Sequence, residues 1–140
     1  QDCWQLTIGG LQGPRSNISH EVIKRATRAC YGLFPKRLLM EFIWLMAARC
    51  GIQHIYGVSD NGHVFRALRY RLSKGRHFHA SYDEFWQSIE GVADSAWRWR
   101  LPLKLERKTL ESIASKKRAE YRRRFQLLDD MAAQMTIIMD

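Results

Sequence analysis

Trp4-Gln5-Leu6-Thr7-Ile8-Gly9-Gly10-Leu11-Gln12-Gly13 is the stretch on which the fold turns. Trp4, Leu6 and Ile8 alternate with Gln5 and Thr7, the period of a strand with one buried face. The strand runs into a loop holding Gly9, Gly10 and Gly13, and a helical pattern follows within ten residues. Strand, glycine loop, helix is an order that offers bare backbone N–H groups and a helix N-terminus to an anion. A tight turn that uses glycine for its backbone freedom needs the same residues.

Outward from this stretch the chain alternates helix and strand signals. Ser19 is placed to cap a helix over 20–31, with Glu21 in its first turn and Gly32 at the left-handed position after it. Pro35 suits the first turn of a second helix that stops at Gly51. That helix is apolar nearly all round, which predicts burial on several sides. Residues 54–59 read as a short central strand, followed by the turn signal Asp60-Asn61-Gly62. Residues 63–72 fit a helix, with Val64, Leu68 and Leu72 on one face, and also a hairpin arm. Ser81-Tyr82-Asp83-Glu84 is a capping box for a helix over 82–90 closed by Gly91. Residues 97–101 alternate as a strand, and a long helix is expected over 109–138, with an apolar stripe at Tyr121, Leu128, Met131, Met135 and Ile138. The expected fold is α/β (α+β), a small mixed sheet covered by helices, acetyltransferase-like, with a long C-terminal helix.

The 140 residues suit one domain with a real core. Because the chain begins at Gln1, almost inside its first strand, the expectation is a piece of a longer protein whose missing part pairs with that strand. The net charge of +9 favours anionic partners, whether nucleic acid, lipid headgroups or phosphorylated cofactors, without choosing among them. Three cysteines without C-x-x-C spacing suggest neither a disulfide framework nor a zinc knuckle, and a reducing compartment is the simpler expectation. Residues 38–48 are apolar except for Glu41, but a bilayer span needs about 20 residues, so a core helix and no transmembrane segment are expected.

The runs LTIGGLQG at 6–13, ATRACYGLFPKRLL at 26–39, GVSDNGHV at 57–64, SYDEFW at 81–86 and KKRAEYRRRF at 116–125 together resemble the VirK/YbjX family, domain of unknown function 535. They cover nearly the whole chain in the family's order. Members are about twice this length, so the resemblance implies a C-terminal half. It also implies a bacterial protein linked to virulence, to correct placement of a surface protein and to tolerance of cationic antimicrobial peptides. No catalytic mechanism comes with it. Position 60 is Asp where the family pattern leads one to expect Asn.

Candidate site residues follow from chemistry. The glycine loop is similar to the pyrophosphate-binding segment of the Gcn5-related N-acetyltransferase fold, so Gly9, Gly10, Gln12 and Gly13 are candidates for holding acyl-coenzyme A or another phosphorylated donor. The loop lacks the usual basic residue at its first position, and two helices rather than one precede the next strand. His63 suits a general base near neutral pH, with Asp83 as its partner or as a second proton carrier. His63 can equally bond a neighbouring carbonyl, and Asp83 can simply complement a helix dipole. His77 and His79 lack a third ligand at metal spacing. Lys116, Lys117, Arg118, Arg122, Arg123 and Arg124 crowd six cations into nine residues, which an anion would relieve; a solvated face is the plainer use. Trp97 and Trp99 alternate with Arg98 and Arg100, a pattern suited to bases, a membrane interface or a core.

Two functional classes emerge. One is an acyltransferase-like enzyme of the bacterial envelope, with His63 or Asp83 handling protons. The other is an accessory factor, peripheral at the cytoplasmic face of the inner membrane, whose 116–124 helix contacts anionic lipid or a partner. Strands 4–8 and 54–59 splaying apart past the glycine loop would favour the enzyme, and a continuous hairpin over 54–70 the accessory factor. Nucleic-acid binding rests on charge alone.

Overall fold

The structure, a computed structural model, describes residues 3–11, 19–60 and 82–139. The chain forms two compact units, one from 1–12 and 51–105 and the other from 13–50 and 106–140, and each is considered by itself. Among the described residues the fold is α+β, a small mixed four-stranded sheet and four helices including a long C-terminal one. The segment 63–72, expected as helix or hairpin arm, lies outside the described residues.

The first unit is the sheet. Its strands are β1 (Gln5–Ile8), β2 (His54–Val58), β3 (Val92–Ala93) and β4 (Arg98–Leu101), in the order β1-β2-β4-β3. β1 runs parallel to β2 with Leu6 opposite Ile55, and β4 runs antiparallel to β2 with Leu101 opposite Ile55. β2 is thus central, as its apolar run predicts. Side chains alternate across a strand, so Leu6, Ile8, Ile55, Gly57, Trp99 and Leu101 share one face. Helix α3 (Tyr82–Ser88) covers that face. Trp86, fully buried, lies over Gly57, and its indole N–H donates to Val58 O at 2.9 Å. Phe85 tilts against Trp86, and Tyr82 stacks one turn away.

Two strands of this unit are each one residue shorter at the start than their alternation predicts. Trp4 precedes β1 and is 67% exposed, so only Leu6 and Ile8 turn inward; its carbonyl still accepts the Gln53 N–H at 3.0 Å. Trp97 lies outside β4 and is also exposed. β3 has no sequence signal because two residues are too few for a period.

The second unit is helical. Helix α1 (His20–Ala29) starts at Ser19, whose Oγ accepts the Val22 N–H at 3.3 Å. It ends two residues earlier than its sequence pattern suggests, because Tyr31 and not Gly32 is the first left-handed residue, at φ 57°. The Gly32 N–H reaches back to Thr27 O at 2.8 Å and the Tyr31 N–H to Arg28 O at 3.1 Å, a Schellman closure. Gly32, at φ 91°, is also left-handed, which disfavours any Cβ, and one there would have to displace the Arg124 guanidinium. α3 closes in the same way, with Glu90 left-handed at φ 66° and the Gly91 N–H bonded to Trp86 O at 2.8 Å.

Helix α2 (Pro35–Arg49) has Pro35 in its first turn, and Gly51 follows it at φ 69°. Met40, Trp44 and Ala47 are buried, but Leu39 and Phe42 remain 45% and 43% exposed, so the expected burial on several sides is not found. The final helix α4 (Arg118–Met139) starts nine residues later than expected. Residues 109–117 instead make two 3-10 turns, Leu110–Ser112 and Ser115–Lys117, separated by extended Ile113, which is buried. Ser112 Oγ donates to Thr109 O at 2.7 Å, an example of hydroxyl groups competing with a regular helix. Leu128 and Met135 of the expected stripe are buried, whereas Ile138 is 81% exposed in the last turn.

Gly57 tests the seat of α3. A Cβ at residue 57 would lie 2.6 Å from Trp86 Cζ2. Gly57→Ala is expected to cost about 1–3 kcal/mol in a denaturant titration, the range of an overpacked core. An unchanged midpoint would mean that Trp86 does not sit there.

Candidate functional site

Both edges of β2 are taken over its length, so the backbone past Val58 must find partners elsewhere. Ser59 is buried; its N–H donates to Trp97 O at 2.9 Å and its Oγ to Ala96 O at 2.8 Å. Asp60 and α3 then exchange hydrogen bonds. Asp60 Oδ1 accepts the Tyr82 N–H at 2.8 Å, acting as a cap supplied from a distant part of the chain. Asp83 Oδ1 accepts the Asp60 N–H at 3.1 Å and the Trp99 indole N–H at 2.9 Å. The carboxylates of residues 60 and 83 therefore lock β2, α3 and β4 together at one end of the sheet.

Asp83, a candidate for proton handling, thus has one oxygen engaged by two donors. His63 lies outside the described residues, so their pairing does too. Asp60 receives an N–H, a role that Asn Oδ1 serves equally, so Asp in place of the expected Asn keeps this contact. Trp99 as the third member of the lock was not legible beforehand. Its alternation with Arg98 and Arg100 marks the strand and its inward face, but not its partner.

The glycine loop leaves β1 at this same end, because β1 and β2 are parallel and Ile8 stands opposite Gly57. Gly9 and Gly10 are exposed, and a Cβ on Gly9 would meet nothing within 4 Å. Leu11 is buried and anchors the loop. Gln12 and Gly13 lie outside the described residues. β1 and β2 stay paired through Ile8 and Gly57, with no splaying over that register.

The six cations divide into two kinds. Arg118 Nε donates to Ile113 O at 2.9 Å and holds the start of α4. Arg124 Nε donates to Tyr31 O at 2.9 Å, its guanidinium lies 3.9 Å from the Tyr121 ring centre, and Glu120 stands 3.8 Å away. This arginine ties α4 to the turn between α1 and α2. Lys116, Lys117, Arg122 and Arg123 are exposed. The helical unit carries fifteen basic and eight acidic residues, so +7 of the chain's +9 belongs to it. Among the described residues no group of three or more His, Cys, Asp or Glu is arranged to hold a metal, and no helix is long and apolar enough to cross a membrane. His77 and His79 lie outside them.

The model of DUF535, described as a protein of unknown function, matches residues 1–136. The uncharacterized protein YbjX of Escherichia coli (strain K12) is 51% identical over 130 residues, which are 93% of this chain and 39% of that protein. An uncharacterized protein of Haemophilus influenzae is 38% identical over 128 residues, 91% of this chain and 42% of its own length. The chain therefore spans about two fifths of the length of these curated relatives. Membrane protein LapB of Mannheimia haemolytica is 36% identical over 53 residues, 38% of this chain and 24% of its own. No solved structure matches the chain.

The lock yields a paired test. Asp60→Asn keeps an oxygen for the Tyr82 N–H and is expected to melt within about 0.5 kcal/mol of wild type, whereas Asp60→Ala is expected to lose about 1–2 kcal/mol, as lost caps do. Equal stability of the two variants in urea would remove Asp60 from this role.

Proposed function

The chain belongs to the DUF535 family, and from that premise we propose that it is an accessory factor that binds anionic lipid at a bacterial membrane surface through its basic helical unit. The observation that carries this reading is the division of the 116–124 cations: Arg118 and Arg124 are spent on internal contacts, while Lys116, Lys117, Arg122 and Arg123 face solvent in a unit of charge +7. Each basic side chain near an anionic leaflet contributes about 1 kcal/mol, and the sum falls off over a Debye length. The name of one relative, membrane protein LapB, agrees with a membrane setting. Tolerance of cationic antimicrobial peptides, which the family resemblance implies, fits the same chemistry, because such peptides seek the same headgroups. The cytoplasmic face of the inner membrane, with its anionic lipids, is the proposed location, and help in placing a surface protein is the proposed task.

A second reading, an acyltransferase-like enzyme using acyl-coenzyme A, draws support from one observation. The parallel pair β1 and β2 brings the exposed Gly9–Gly10 backbone to the carboxyl end of a central strand, the usual place for a ligand in such sheets. The lock on Asp83 weighs against its use as a base.

Flotation with phosphatidylglycerol vesicles separates the two. The chain is expected to bind these and not phosphatidylcholine vesicles at low salt. Replacing Lys116, Lys117, Arg122 and Arg123 together by Gln is expected to weaken binding at least about tenfold. Equal affinity for both vesicle types, or no effect of the four substitutions, contradicts the proposal. A saturable rise in melting temperature with an acyl-coenzyme A, abolished by Gly10→Asp, would establish the second reading instead.

A further inference from the structure

Helix α1 has no buried residue, although its sequence is strongly amphipathic. Val22, Ala26 and Cys30 follow one another at four-residue steps and so form one stripe. Val22 is half exposed, Ile23 and Thr27 are half-buried, and the exposed Lys24, Arg25 and Arg28 share the polar side with Glu21. Across from this stripe, α2 presents Leu39 and Phe42, each more than two fifths exposed. Between the two helices, with Met131 of α4 as part of the floor, lies an open groove of about 470 Å³. Its lining is carbon and sulfur, without a single side chain that carries oxygen or nitrogen.

Contiguous exposed apolar surface beside a groove marks a place where a ligand, a partner or a membrane docks. The occupant can be chosen from chemistry. An extended peptide would bring backbone N–H and C=O groups into a groove whose side chains offer them no oxygen or nitrogen partner. An alkyl chain brings none. A basic polar face opposite an apolar stripe is the pattern of a helix that lies in the plane of a membrane interface, its cations reaching out to headgroups. The charge of the unit, +7, has the sign that an anionic leaflet requires.

We infer that the Val22–Ala26–Cys30 stripe of α1 and the Leu39–Phe42 face of α2 form a membrane-docking surface that takes acyl chains of an anionic bilayer into the groove. This rests on the membrane reading above and adds to it a specific inserted surface, distinct from the 116–124 cations. Those cations adsorb the chain electrostatically. The groove holds it by apolar burial, which salt does not screen.

The test is flotation of the full chain with phosphatidylglycerol vesicles at 0.15 M and then at about 0.5 M salt, where surface charge is largely screened. Wild type is expected to remain bound at the higher salt. Leu39→Gln and, separately, Val22→Gln are expected to lose about tenfold or more there while melting as wild type does. Both positions are exposed, so neither substitution empties the core. Val92→Gln, an exposed apolar position of the sheet unit, is expected to leave binding unchanged. Binding that vanishes at high salt for wild type, or that the Leu39→Gln groove variant and the Val22→Gln stripe variant both share with wild type, overturns the docking surface and leaves the electrostatic reading standing. No binding to anionic vesicles at any salt overturns both. A concentration-dependent dimer that Val22→Gln and Leu39→Gln dissolve would assign the face to a second copy of the chain and overturn the inference.

Discussion

The indole of Trp86 can lie flat on the sheet only because residue 57 has no side chain. That single absence fixes much of the sheet unit. It lets α3 approach the central strand closely enough for the indole N–H to reach Val58 O, the last carbonyl of β2. With α3 at that height, its first turn meets the backbone just past the strand, where Asp60 and Asp83 exchange hydrogen bonds and Trp99 joins them from the neighbouring strand. At the other end of α3, Gly91 is held against the Trp86 carbonyl, where a Cβ would come within 2.7 Å. Glycines on both sides of one tryptophan thus set the helix on its strand, and the polar lock is a consequence of that seat.

In the helical unit an arginine plays the corresponding part. Arg124 bonds the carbonyl of left-handed Tyr31 and occupies the space a Cβ on Gly32 would need. A charge cluster that reads as a ligand site in sequence is, at Arg118 and Arg124, a set of internal ties. What remains for solvent is smaller and more clearly electrostatic. The unit then presents cations on α4 and, on α1 and α2, an apolar surface at Val22, Leu39 and Phe42 that no described residue covers. Adsorption by charge followed by apolar anchoring needs both features.

Much of the fold was legible because it rests on short-range chemistry. Ser19, Pro35, Gly51 and the alternation of Leu6 with Ile8 each specify a local backbone state, and the elements they mark are present. What was not legible depends on distance. Trp4 alternates correctly with Leu6 yet stands outside the sheet, because alternation gives a face but not the extent of pairing. Glu111 and the lysines suit an earlier start for α4, but the Ser112 hydroxyl bonded to the Thr109 carbonyl and the burial of Ile113 favour tight turns. The apolar run of α2 signals a core on all sides, but pattern alone cannot tell a buried face from one kept open. In the candidate site, Asp83 and the glycine loop were visible as residue types at strand and helix ends. The engagement of Asp83 by Asp60 and Trp99 was not, since those partners lie 23 and 16 residues away.

On the proposed reading the helical unit, not the sheet end, meets the ligand. Hydrogen exchange of the full chain, with and without phosphatidylglycerol vesicles, tests it most directly, because α1 has no buried residue and its amides open by local fluctuation. The expected result is slowed exchange across 20–29 and 116–124, with the amides of 9–11, 60 and 82–86 unchanged. Protection confined to 9–11, 60 and 82–86, or no change in α1, would contradict the account.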